Sequence, residues 1–196
     1  MHTIDETGVD RRYMGTVWVN KSLYIGKPDC SVRLAKESAC YDIMDRLGIE
    51  YIGIDHDAAA TAEDCVEIES SLGIEVYKNL FLRNGSRTEF YLLVMLSAKK
   101  FVTKDVSKQI GTSRLSFAEA EYKEQFLNIT PGSVSILGLM NDSEHRVHLL
   151  MDRDVHESEY FGCHPCINTS SLKIKTLDIL DKFLPFTGHQ PTIVEL

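Results

Sequence analysis

Val76-Tyr77-Lys78-Asn79-Leu80-Phe81-Leu82-Arg83 and Thr88-Glu89-Phe90-Tyr91-Leu92-Leu93-Val94-Met95-Leu96 are two β-rich runs on either side of Asn84-Gly85. Asn-Gly between apolar runs is a strong hairpin signal, because both residues tolerate the positive φ that a tight turn requires. Upstream, Ser31 is placed to N-cap a helix whose apolar positions Leu34, Ala35, Tyr41, Ile43, Met44 and Leu47 recur at helical spacing up to Gly48. Tyr51-Ile52-Gly53-Ile54 reads as a short buried strand, and Thr61 with Asp64 opens a second helix that stops before Gly73. Downstream, Thr103 and Ser116 open two short helices, the second with Ser116 and Glu119 at capping-box spacing. Val134 to Leu139 and Val147 to Leu150 read as a strand pair around Asn141-Asp142-Ser143. A strand at Ser171 to Ile174, a helix from Thr176 to Phe183 and a strand at Thr192 to Val194 close the chain. Hairpins mixed with helices predict an α/β single domain, a mixed, mostly antiparallel β-sheet surrounded by helices. Residues 1–30 have little helical period and read as an N-terminal arm or added edge, with Thr16-Val17-Trp18-Val19 and Leu23-Tyr24-Ile25 as a short hairpin; residues 31–196 form the domain.

The chain has 196 residues, 43% hydrophobic and 26% charged, which is the composition of an ordinary globular domain with a sizeable core. Its 21 Lys+Arg against 29 Asp+Glu leave a net charge of −8, which argues against a general nucleic-acid coat or a polybasic membrane binder. No stretch approaches the ~20 apolar residues that span a bilayer. Met1-His2-Thr3-Ile4-Asp5-Glu6 lacks the features of a secretory signal. Cys30, Cys40, Cys65, Cys163 and Cys166 cannot all pair within one chain, so reduced thiols and a cytoplasmic location are expected.

Cys163-His164-Pro165-Cys166 has the C-x-x-C spacing of a redox pair, but no strong helix follows it, and no second ligand pair completes a zinc site. Two small thiols flanking a functional loop is the plainer reading. Lys78 and Asn79 put a cation and an amide at the head of an apolar strand, where small-ligand sites often lie; an edge lysine in solvent fits the same pattern. Gly132-Ser133-Val134-Ser135 is a glycine turn that could present backbone N–H groups to an oxyanion, or simply turn the chain. Seven histidines (His2, His56, His145, His148, His156, His164 and His189) show no metal-ligand spacing. No nucleophile elbow, Walker loop or dinucleotide fingerprint is present.

Taken in order, His56, Lys78-Asn79-Leu80-Phe81-Leu82, Arg114-Leu115-Ser116-Phe117-Ala118, Gly132-Ser133-Val134-Ser135, Leu137-Gly138-Leu139 with Asn141-Asp142, Gly162 with His164-Pro165 and Asn168-Thr169, and Thr187-Gly188-His189 resemble the prolyl-tRNA editing domain family, the YbaK/ProX group. The resemblance runs from about Ser31 to Leu196 and is strongest to the free-standing branch that deacylates alanyl-tRNA(Pro). It implies a mixed sheet wrapped by helices, no cofactor, no metal and no covalent enzyme nucleophile. The implied activity is trans-editing: water attacks the ester that joins a wrong small amino acid to the acceptor end of tRNA(Pro). Lys78 and His164 are then the catalytic candidates. His56, Asn79, Gly132, Ser133, Val134, Ser135, Gly138, Asn141, Gly162 and Pro165 are the substrate-binding candidates. Partners implied are that tRNA end and, transiently, prolyl-tRNA synthetase or an elongation factor, with no DNA and no membrane. This chain departs from the family pattern at Ile136, where the glycine loop usually ends in proline, at Asp57-Ala58, and at Cys163 and Cys166. These departures touch the pocket and leave alanine, serine or another small residue open as the preferred amino acid, while Ile136 and the N-terminal arm leave open the alternative of a catalytically degenerate editing-like domain that binds tRNA or a synthetase.

The charge is unevenly distributed. Residues 78–114 carry eight Lys and Arg against Glu89 and Asp105, a local +6 that leaves −14 for the rest. Arg83, Lys99, Lys100, Lys104 and Lys108 are therefore the candidate tRNA contacts, since phosphate recognition needs local cations whatever the bulk charge.

Overall fold

A computed structural model describes residues 17–59, 62–130 and 132–196. The 76–96 region forms the expected antiparallel pair, β3 (Lys78–Arg83) and β4 (Phe90–Met95), in a register that sets Lys78 opposite Met95 and Arg83 opposite Phe90. All six residues of β4 are buried. Successive strand side chains alternate between faces, so Phe90, Leu92 and Val94 enter the main core while Tyr91, Leu93 and Met95 enter a second one.

The strands form two sheets. One has the order β1 (Tyr24–Ile25), β2 (Tyr51–Asp55), β8 (Ser170–Lys175), β7 (Tyr160–Cys163), and every pairing in it is antiparallel. The other has the order β5 (Ser116–Phe117), β3, β4, β6 (Val147–Asp152), β9 (Thr192–Val194); β5, β3 and β4 pair antiparallel, while β4, β6 and β9 pair parallel. The main core holds Tyr41 and Met44 of helix α1 (Ala35–Arg46), Phe81 and Phe90 of the hairpin, Phe126 and Leu127 of helix α4 (Ala120–Leu127), and Phe161 and Leu172 of the antiparallel sheet. Helix α3 (Thr103–Gln109) covers the other side of β4 through Val106, and helix α2 (Ala62–Leu72) sets Ile68 and Leu72 beside Ile54 and Val76.

Several sequence expectations need correction. Ser31 does not cap α1: the helix starts after Leu34, and the Ser31 N–H is taken by the Asp29 carboxylate at 2.9 Å. The hairpin between residues 16–19 and 23–25 does not form in its described part. Tyr24 and Ile25 pair with Gly53 and Ile52, and Val19 bridges to His56, so both segments use the β2 region as partner instead of each other. Ser116 opens no helix; Ser116 and Phe117 are strand β5 against Arg83 and Leu82, and α4 begins only after Glu119. The expected strand at Val134 to Leu139 is a 3-10 turn, Ile136–Asn141, in which the Ser135 hydroxyl accepts the Leu137 N–H. Thr16, the Thr61 start of α2 with its Asp64 cap, and Pro131 fall outside what is described here.

Candidate active site

The N-terminal end of β3, the turn after β4, the glycine loop and the loop after β7 meet around a cavity of about 340 Å³. Lys78, Asn79, Gly132, Val134 and His164 line it together, along with Lys123 and Phe117. That volume lies at the small end of the range for small-molecule sites.

Lys78 is the first residue of β3, and its ammonium donates to the main-chain oxygen of Ser97 at 3.0 Å. Ser97 is fixed in turn, since its hydroxyl donates to Val76 O at 2.7 Å and its N–H donates to the Glu75 carboxylate at 2.6 Å. No carboxylate pairs with Lys78 among the described residues, so two of its three N–H donors remain for a ligand. Asn79 beside it donates its amide nitrogen to Tyr77 O at 3.0 Å, which fixes the amide's orientation. Its Oδ1 is buried without a hydrogen-bond partner.

His164 is held by a relay of hydrogen bonds. The His56 Nδ1 lies 2.7 Å from Asp57 O, a pure acceptor, so it must carry the proton; its Nε2, 2.9 Å from the Ser171 hydroxyl, then accepts. Ser171 Oγ, having donated its proton to His56, is left to accept from His164 Nδ1 at 3.3 Å, and that same N–H donates to Ser170 O at 3.1 Å. Burial pushes both imidazoles below their ordinary pKa, partly opposed by the backbone oxygens of Asp57 and Ser170; the proximity of His56 lowers His164 further. Both rings are therefore neutral at pH 7, and no donor among the described residues meets the His164 Nε2 lone pair. The hydrogen-bond chain sets this tautomer.

The glycine loop is built onto the same element. Gly132 adopts φ +86, a left-handed conformation that a side chain would strain. Ser133 is buried, Val134 reaches the cavity, and Ser135 turns inward to donate its hydroxyl to His164 O at 2.5 Å. Ile136, at the position of the family's usual proline, is fully buried, so packing holds this turn. Gly162 allows a close crossing of chains: a Cβ there would sit 2.1 Å from Glu75 O, and its own oxygen accepts the Tyr77 N–H at 3.1 Å. That contact sets the height of Lys78 one residue further on.

Other candidates lie elsewhere. His56 and Ser135 do not line the cavity: His56 bonds to Ser171, which in turn contacts His164, and Ser135 bonds to His164 O; Gly162 and Pro165 are buried. Gly138 packs against Ile129 and Leu127, and Asn141 donates to Leu127 O and Gly138 O beside a separate depression shared with Arg146. Both belong to the 3-10 turn, and neither lines the cavity. Arg83 grips Glu119 with two hydrogen bonds of 2.9 and 3.0 Å, and Arg83 holds the Glu119 carboxyl down at about 2. Lys99 bridges the buried Asp152 and the exposed Asp154 at 2.8 and 2.7 Å. Neither Arg83 nor Lys99 is a free phosphate contact. Lys100, Lys104 and Lys108 are exposed, and Lys104 and Lys108 share a surface depression with Arg114.

Sequence reasoning missed Lys123, Ser97 and Ser171. None stands in a recognisable spacing, and each joins the site through a contact across the fold. Cys163 and Cys166 are both buried free thiols: Cys166 Sγ lies 3.5 Å from Cys40 Sγ, and burial, with Cys166 nearby, raises the Cys163 thiol pKa.

Comparison with known proteins places the chain in one family. The sequence model described as an aminoacyl-tRNA editing domain matches residues 56–182. A protein of Acetoanaerobium sticklandii named prolyl-tRNA editing protein ProX is 30% identical over 153 residues, covering 78% of this chain and 93% of that protein. A Danio rerio protein named prolyl-tRNA synthetase associated domain-containing protein 1 is 30% identical over 155 residues, covering 78% and 83%. A crystal structure described as that of a candidate trans-editing enzyme for prolyl-tRNA synthetase superposes with a TM-score of 0.62 at 13% identity, over 83% of this chain and 98% of the other.

Proposed function

The chain belongs to the aminoacyl-tRNA editing domain family, and on that premise we propose that it is a trans-editing hydrolase that deacylates mischarged tRNA(Pro), with alanyl-tRNA(Pro) as its substrate. The observation that carries this reading is the convergence of Lys78, the Gly132 loop and a neutral His164 on one small cavity. Ester hydrolysis builds negative charge on the carbonyl oxygen as water adds to the carbon. Donors fixed beforehand stabilise that charge without reorganising during the reaction. Lys78, anchored through Ser97 O, supplies such donors or holds the neighbouring phosphate.

The His164 Nε2 lone pair accepts a hydrogen bond from the attacking water, and the free ribose hydroxyl of the terminal nucleotide assists it. Collapse of the tetrahedral intermediate breaks the ester C–O bond. The amino acid leaves as its carboxylate, one proton of the water ends on the ribose oxygen and the other is released to solvent.

Selection follows from size. A pocket rejects a larger side chain sterically but cannot strongly reject a smaller one. On this reading a steric wall of the cavity admits the alanyl group and excludes the larger prolyl ring. Incubation with alanyl-, seryl-, cysteinyl- and prolyl-tRNA(Pro), scored for amino-acid release, tests the reading. Release from alanyl-tRNA(Pro) well above prolyl-tRNA(Pro) is expected, and no release from any of the four refutes it.

A further inference from the structure

The segment Arg114-Leu115-Ser116-Phe117-Ala118 has no part in the chemistry above, yet it reaches the cavity. Leu115 and Ala118 are buried, whereas Phe117 leaves 62% of its surface exposed at the cavity wall. Three restraints hold that ring in place. Phe117 pairs with Leu82 in the sheet, the next residue's N–H donates to Phe81 O at 2.9 Å, and Phe101 packs edge-on against the ring with centroids 6.2 Å apart. Phe101 is itself packed on the second core cluster, so the exposed ring has a rigid backing.

Lys78 and Lys123 line the same cavity, and neither has an ion-pair partner among the described residues. A fixed aromatic face beside unpaired cations is the arrangement by which proteins hold single-stranded nucleic acid: bases stack on the ring while cations meet the phosphates. The small aminoacyl group has to be enclosed for its size to be read, so a ring this open suits the flat group next along the substrate.

We propose that Phe117, braced by Phe101, is the stacking platform for the terminal nucleobase of the RNA whose 3′ ester occupies the cavity. This rests on the aminoacyl-tRNA reading and adds a subsite to it. Stacking reads a π-face and not a hydrogen-bond pattern, so the subsite tolerates any base and fails only when the base is missing.

The test uses the full chain and an RNA hairpin with a four-nucleotide 3′ overhang ending in adenosine, compared with the same hairpin ending in an abasic ribose. The wild-type chain is expected to bind the adenosine end about tenfold more tightly by fluorescence anisotropy. Phe117→Tyr keeps that ratio, while Phe117→Ala and Phe117→Leu bring it close to one; the leucine variant retains apolar volume without a π-face. A ratio of one in the wild type, its loss in Phe117→Tyr, or its survival in Phe117→Leu and Phe117→Ala overturns the platform. Hydrolysis of alanyl-tRNA(Pro) is measured on the same wild-type preparation. Base discrimination without hydrolysis refutes the deacylase reading and leaves the platform standing, whereas hydrolysis without base discrimination does the reverse.

Discussion

The Ser135 hydroxyl donates a 2.5 Å hydrogen bond to the main-chain oxygen of His164, tying the glycine loop to the loop that carries the histidine. The same oxygen of Ser135 accepts the Leu137 N–H at 3.2 Å, so one buried side chain fixes both the start of the 3-10 turn and the height of His164. Ser135→Ala removes both contacts and leaves a carbonyl and an N–H without their partner. A loss of about 1–3 kcal/mol in urea unfolding is expected. Deacylation should fall more than tenfold, since loops displaced by a fraction of an ångström misplace the reacting groups. Unaltered kcat/KM in a Ser135→Ala chain would show that the two loops do not need each other.

Lys78→Ala should abolish deacylation while leaving the urea midpoint nearly unchanged. The side chain is only partly buried and is held by one hydrogen bond to Ser97 O. Lys78→Arg is not expected to restore activity, because a planar guanidinium cannot reproduce an ammonium anchored at one point. Single-turnover rates on alanyl-tRNA(Pro) separate this from a binding defect. Wild-type turnover in a folded Lys78→Ala chain removes Lys78 from the mechanism.

The hairpin around Asn84-Gly85 was legible because its signal is local, yet the turn itself differs from the two-residue form. Asn84 is buried and caps a longer loop: its Oδ1 accepts the N–H groups of Thr88 and Glu89, its amide donates to Glu89, and the positive φ falls on Arg87. Gly48 and Gly73 mark helix ends with left-handed φ values of +61 and +63, as the stop signals implied. The failures share a cause. Ser116 and Glu119 have capping-box spacing, but Glu119 is drawn to Arg83 and Ser116 to the edge of β3. Val134 to Leu139 is a continuous apolar run, which periodicity alone cannot assign to strand or helix. Burial of Ile136, Leu137 and Leu139 together, with Gly138 close to Leu127, settles it as a turn. At the site, Lys78, Asn79, Gly132, Val134 and His164 were readable through family resemblance, whereas Lys123 and Ser171 enter by long-range contacts that no spacing encodes.

The depressed pKa values of His56 and His164 give a pH dependence with a definite sign. Between the folded values and the ordinary value near 6.5, the unfolded chain binds more protons than the folded one. Stability from these two groups is therefore complete above pH 6.5 and declines as the pH falls below it, levelling off beneath the folded pKa values. Deacylation should follow the neutral fraction of His164, rising from acid pH to a plateau before neutrality. Ser171→Ala frees the relay and should shift the midpoint of the pH–rate profile while leaving the substrate order unchanged. A profile identical to wild type would mean that Ser171 does not position His164.

Lys99 and Lys104 separate structural from binding cations. Lys99 joins Asp154 to Asp152, whose side chain is 0% exposed and whose second oxygen already has no partner. Lys99→Ala leaves a buried carboxylate with no cation and should destabilise the fold by about 3 kcal/mol. Lys104 and Lys108 are exposed, share a depression with Arg114 and take part in no ion pair among the described residues. Lys104→Ala with Lys108→Ala should leave the urea midpoint within about 0.5 kcal/mol of wild type. If these lysines meet phosphates, KM for alanyl-tRNA(Pro) rises in the double variant and the slope of log KM against log salt becomes shallower by up to one unit per contact. An unaltered salt slope would assign the acceptor stem to another face and leave Lys100 and Lys123 as the cations to examine.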